Sequence, residues 1–183
     1  MIGPKTLKQT KRRTIGKLSI AQVNRNRQGV YDRDSHSCIV AGSTWGRSHP
    51  CAGVLTIQHA AGRGMGGSAK FDGPEWLRAM CTTHNTLETS DARFAEACKR
   101  MGWSVSRGRV DAGTLTCEMV PVRYPDGRDY ILTPDFRRQQ LVANDAETMR
   151  EMAYGPRVLS DLEGRPLMEE MKRRHGDGYG FAY

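Results

Sequence analysis

The chain has 183 residues, 38% of them apolar and 26% charged, with five cysteines and a net charge of +8. No apolar run approaches the roughly 18 residues that cross a bilayer and no apolar signal core follows the N-terminal charges, so a soluble protein without a membrane partner is expected. An odd number of cysteines argues against a secreted disulfide scaffold, and a reducing compartment with some thiols on a metal fits better.

The charge is unevenly spread. Between Met1 and Asp34 nine Lys or Arg face two Asp, leaving +7 and an almost neutral remainder. A basic arm of this kind, with Lys11, Arg12 and Arg13 at its centre, suits binding to a phosphate backbone through counterion release; charge alone allows a solvated tail equally well.

Residues 1 to 17 lack apolar periodicity. Leu18, Ile20, Val23 and Val30 then fall at sparse helical spacing, predicting a helix that ends near Asp32-Arg33-Asp34. Ser37 to Val40 reads as a short strand, Ala41-Gly42 as a turn, and Gly42 to Gly53 as a loop. Val54 to Ile57 is an apolar strand that delivers Gln58 and His59 to its end. Five glycines between Gly62 and Gly73 exclude regular helix and let the backbone approach a ligand closely.

Pro74 to Met80 is a short helical turn or an extended lead-in. Leu87, Phe94, Ala97, Cys98 and Met101 predict a helix from Thr86 to Met101, closed by Gly102. Met119 to Tyr124 and Asp129 to Thr133 flank Pro125-Asp126-Gly127-Arg128, a hairpin signal because Asp-Gly supplies the positive-φ turn. Two charged helices, 137 to 154 and 160 to 175, and a Gly/Tyr-rich tail follow. No internal repeat is visible.

Two clusters carry chemistry. Cleaving a phosphodiester needs a base to activate water and a cation to neutralise charge on the phosphate. His59, titrating near neutrality at a strand end followed by glycines, is the natural base, and Asn85 can present a side-chain oxygen to a hard cation such as Mg²⁺ or Mn²⁺. Cys81-x-x-His84 is half of a structural zinc site, and Cys38 is placed to join it. The residue three positions beyond Cys38 is Ala41, so the fourth ligand falls to Cys51, with His49 or His36 as lesser candidates.

Taken together, Arg33-Asp34-x-x-x-Cys38, Gln58-His59-x-x-x-Arg63-Gly64-Met65-Gly66-Gly67-Ser68 and Leu77-x-x-Met80-Cys81-x-x-His84-Asn85 resemble the HNH endonuclease family, most closely its small bacteriophage members. The resemblance covers about residues 31 to 107. It implies an α+β fold: a small ββα-metal core with a zinc-knuckle-like hairpin, an added β-hairpin and C-terminal helices. The corresponding division is 1–30 basic arm and helix, 31–107 nuclease core, 108–135 appended hairpin and 136–183 helical extension.

The resemblance further implies a metal-dependent DNA endonuclease with His59 as general base. Gln58 occupies the metal-ligand position that is commonly Asp or His in the family, Asn85 matches the second metal ligand, and the central Asn falls on Trp76. Glutamine is a poorer ligand than aspartate, which asks for help from Asp72 or another oxygen; tryptophan cannot hold the base loop, so His59 must be oriented some other way. The implied partner is double-stranded DNA, in a phage-encoded protein of the bacterial cytoplasm that also meets packaging proteins. The alternative is a catalytically weakened DNA-binding or packaging adaptor.

Arg63, Lys70 and Arg78 flank the predicted site as phosphate clamps. Cys98 and Cys117 read as packing, Trp103 as a core plug, Trp45 as a possible base-stacking platform, and His175 as a charge at a helix end.

Overall fold

The computed structural model describes residues 18–62 and 69–154. Lys11, Arg12, Arg13, Arg63, the predicted helix 160–175 and His175 lie outside them. The architecture is mixed helix and strand. Helix α1 (Ile20–Arg33) starts where the sequence predicts: the Ser19 hydroxyl accepts from the Gln22 amide while the Gln22 side chain bonds back to the Ser19 amide, a reciprocal cap. Only its last turn is buried, at Val30 and Arg33.

The strand expected at Ser37 to Val40 does not form. Ser35 and His36 adopt left-handed backbone (φ 54° and 51°), and turn bonds from Ala41 N to Cys38 O and from Ser43 N to Val40 O coil the segment instead. Cys38, Ile39 and Val40 are nevertheless buried. The predicted loop after Gly42 contains a short helix α2 (Thr44–Ser48), capped by the Ser43 hydroxyl on the Gly46 amide. Its Trp45 is 4% exposed and packs edge-on against Phe94 at 5.1 Å, which corrects its reading as a base-stacking platform.

Strands β1 (Leu55–His59) and β2 (Leu77–Cys81) pair antiparallel, from Leu55 opposite Cys81 to His59 opposite Leu77. All five residues of β2 are buried, so this strand is covered on both faces, whereas β1 is mostly half-buried. Chain order then gives α3 (Thr82–Ser90) and α4 (Ala92–Arg100) in place of one helix from 86 to 101. Asp91 causes the break: in extended conformation, its carboxylate accepts from the amides of Arg93 and Phe94 and caps the second helix. Gly102 ends α4 with φ 69°, where a Cβ would stand 2.2 Å from the Pro121 carbonyl oxygen, so only glycine fits.

Beyond α5 (Arg107–Asp111), a three-stranded sheet of β3 (Val122–Arg123), β4 (Asp129–Leu132) and β5 (Arg138–Gln140) replaces the expected simple hairpin. Gly127 turns it with φ 76°. Because residues 138 to 140 pair with β4, helix α6 (Ala143–Tyr154) starts later than the predicted 137.

One core joins these parts, centred on Phe94, Trp45, Trp103, Phe71 and Trp76. A buried polar network sits beside it. Arg33 pairs with Asp34 through Nε at 2.7 Å and also donates to the carbonyls of Pro74 and Leu77. Asp34 accepts from the Ala79 amide at 2.9 Å and the Tyr124 hydroxyl at 2.6 Å. Satisfied in this way, the pair fixes α1, β2 and β3 in one register and sets the start of the Cys38 turn. Among the described residues, no helix is long and apolar enough to cross a membrane.

Candidate functional site

The hairpin has two chemically distinct ends. At the Leu55/Cys81 end, the turn after α1 supplies Cys38, the loop after α2 supplies Cys51, and the junction of β2 with α3 supplies Cys81 and His84. Their four ligand atoms lie within 4.8 Å of one another. His84 Nδ1 stands 3.1 Å from Cys81 Sγ, 3.5 Å from Cys38 Sγ and 3.7 Å from Cys51 Sγ. A tetrahedral zinc with Zn–S of about 2.3 Å and Zn–N of about 2.0–2.1 Å sets sulfur–nitrogen edges of about 3.5 Å, so the group fits such an ion.

Electrostatics agree with that fit. Burial holds His84 below its ordinary pKa, with the His49 backbone pulling the other way, which keeps the imidazole in the neutral form that ligates metal. Burial pushes the Cys38 thiol up to about 12, against the backbone amides of Cys81 and Val40 that favour its thiolate. Burial also raises Cys51. Cys81 goes the other way: burial opposes ionisation, but the amides of His84 and Ala52 and the neighbouring thiols outweigh it. Amides aimed at sulfur are what a metal-bound thiolate needs, and without a cation the buried Cys38 thiol is held protonated. The four residues expected to form the zinc site come together, with Cys51 in the fourth position. His36 instead pairs with Asp32 at the surface and His49 stacks on Trp45.

The other end of the hairpin carries His59. It lies about 14 Å along the strand from the Cys₃His end, at about 3.4 Å per residue, so that cluster does not share a site with His59. Alternation along β1 turns Gln58 and His59 to opposite faces. His59 lines a small cavity of about 50 Å³ against α1, together with Asn26, Arg27, Ile57 and Asp72. Its Nε2 lies 3.0 Å from Asp72 Oδ1. Trp76, where the resemblance expects an asparagine, is buried edge-on against Phe71 at 6.0 Å.

Gln58 faces α3 and is 7% exposed. Its amide nitrogen meets the Glu88 carboxylate, and its Oε1 is buried with no hydrogen-bond partner. Burial raises the Glu88 pKa, opposed by the Ser104 hydroxyl and Lys99. The helix rises only about 1.5 Å per residue against about 3.4 Å for the strand, so α3 reaches Gln58 with Glu88, one turn beyond Asn85, which stays half-buried. Glu88 and Asp72 are the residues that sequence reasoning underweighted; the i, i+3 spacing of Asn85 and Glu88 was the available signal for the first.

Of the predicted phosphate clamps, Arg78 is a correction. It is 1% exposed, and its guanidinium donates to the carbonyls of Glu75, Leu77 and Gly102. Burial, reinforced by nearby Arg33, lowers its pKa to about 10. It points inward because β2 is covered on both faces, so it is a core cation and not a ligand for DNA. Lys70 is exposed and bonds to the Val110 carbonyl and Asp111. Cys98 and Trp103 are core residues as expected, and Cys117 is half-buried. No family model, curated protein or solved structure matches this chain.

Proposed function

We propose that the protein is a metal-dependent DNA endonuclease built on a zinc-braced ββα unit. The observation that carries this reading is the order of parts: an antiparallel hairpin ending in half-exposed His59, running directly into α3, with a Cys₃His centre fastening the opposite end. Zinc there contributes folding energy and no chemistry, since a set of four protein ligands leaves no open position.

Gln58, Glu88 and Asn85 would hold a catalytic divalent cation on the α3 side of β1, next along the chain from His59 on the α1 side, so that the scissile phosphate would straddle the strand end between them. The buried, partnerless Gln58 Oε1 and the Glu88 carboxyl, whose charge burial disfavours, form an oxygen-donor set suited to Mg²⁺ or Mn²⁺. When bound, such a cation neutralises charge on the phosphate and the departing oxygen. His59 takes a proton from water as the water oxygen attacks phosphorus; the bond from phosphorus to the 3′ oxygen breaks, and that oxygen keeps the electron pair and takes a proton from solvent. Arg27, exposed at the edge of the His59 cavity, joins the basic arm in holding the backbone without reading sequence.

Supercoiled plasmid with Mg²⁺ or Mn²⁺ tests this reading: nicking is expected, and none in either metal rejects it. A second reading, a DNA-binding adaptor of the same fold, is favoured by the contact Gln58 already makes with Glu88. Calorimetry separates the two, because the adaptor binds DNA without taking up Mn²⁺.

A further inference from the structure

We infer that Asp72 is the positioning partner of His59, fixing the ring tautomer that leaves Nδ1 as the proton acceptor. This rests on the reading of His59 as general base and supplies the orienting group that Trp76 cannot.

The geometry is specific. His59 Nε2 and Asp72 Oδ1 are 3.0 Å apart, with side-chain exposures of 23% and 10%. An ionised carboxylate only accepts hydrogen bonds, so the neutral imidazole must place its single proton on Nε2 to meet it. The second nitrogen, Nδ1, is then the basic one. As water is activated, its proton passes to Nδ1 and the oxygen to phosphorus; the resulting imidazolium is stabilised through Nε2–H by the Asp72 charge, and the proton then leaves to solvent. This is the arrangement by which a carboxylate holds a catalytic histidine in other hydrolases, reached here with the two ring nitrogens exchanged.

Asp72 is itself held firmly. Its backbone amide donates to the Ala69 carbonyl at 3.2 Å, and its carbonyl accepts from Asn26 Nδ2 of α1 at 2.7 Å. Phe71, the residue before it, is fully buried and wedged against Trp76. Trp76 therefore acts at one remove: it packs the Phe71 anchor, and the neighbouring carboxylate orients the base. Helix α1 becomes part of the site through Asn26 and not merely a lead-in to the core.

The test is the nitrogen-15 spectrum of the full zinc-loaded chain, labelled at histidine and recorded where imidazole is neutral, with the His59 signal assigned from His59→Gln. The expected result is an Nε2–H tautomer with unprotonated Nδ1 in the wild type, and loss of that preference in Asp72→Ala. An Nδ1–H tautomer in the wild type overturns the inference without any variant, as does an unchanged tautomer in Asp72→Ala. Asp72→Asn, nearly the same in shape, is expected to cut plasmid cleavage about a hundredfold or more, with zinc content and DNA affinity retained. Absence of cleavage by the wild type rejects the nuclease reading but leaves the tautomer result to stand or fall alone.

Discussion

Replacing Cys51 by serine isolates the contribution of the metal centre. Cys51 is the exposed member of the set, whereas Cys38, Cys81 and His84 are buried, so its loss removes a zinc ligand without opening a cavity. Free zinc at about a thousand times its dissociation constant stabilises a folded chain by about 4 kcal/mol. For a domain of this size each kcal/mol is worth about 2–4 °C, so the zinc-loaded wild type is expected to melt about 8–16 °C above the chelator-stripped form. Cys51→Ser is expected to lose most of that increment while matching the stripped wild type. Calorimetric scans with and without chelator, paired with zinc analysis by mass spectrometry, measure both quantities. A stripped wild type that melts with the loaded one, or a Cys51→Ser chain with full zinc and full Tm, refutes the reasoning.

Three further outcomes are expected. Asp129 is buried between Arg123 and Arg150; burial alone would raise its pKa, but hydrogen bonds to both guanidinium groups bring the net value below the ordinary 3.8. Its ion pairs therefore contribute stability that is present above pH 3.8 and lost as pH falls through the lowered value, and urea titrations should show a shallower acid loss in Asp129→Asn. Arg78→Met takes the side-chain donor from the carbonyls of Glu75 and Gly102, Leu77 keeping Arg33, and is expected to cost about 3 kcal/mol in urea unfolding, with DNA affinity of the folded protein unchanged. Glu88→Gln should abolish Mn²⁺ uptake in calorimetry while zinc content stays at one per chain.

The sequence made some elements legible because their signals are local. The spacing of Ile20, Val23 and Val30 marks α1, Asp126-Gly127 turns the β3–β4 hairpin, and the Cys81-x-x-His84 spacing marks a metal half-site; each signal lies within a short stretch of chain. Misreadings arose where tertiary context decided. Ser37 to Val40 has strand-like composition but coils through turn bonds that bring Cys38 to Cys81 and His84. Arg78 has the charge of a surface residue, yet it lies on a strand buried on both faces. The helix read through 86 to 101 overlooked Asp91 as a cap because apolar spacing continued on either side of it. Within the site, the four metal-centre residues were recoverable from donor chemistry, whereas Glu88 required knowing how far α3 runs back along the hairpin. Asp72 sits in a glycine-rich stretch with no periodic signal, and only the fold brings it to His59.

The proposed function is tested most directly by comparing plasmid cleavage rates of wild type and His59→Ala at equal zinc content and equal DNA occupancy. A general base contributes about 10²–10⁴ in rate, so the variant should fall by that factor with its melting profile unchanged. Equal rates for the two proteins would contradict the assignment of His59 and the phosphodiesterase activity built on it.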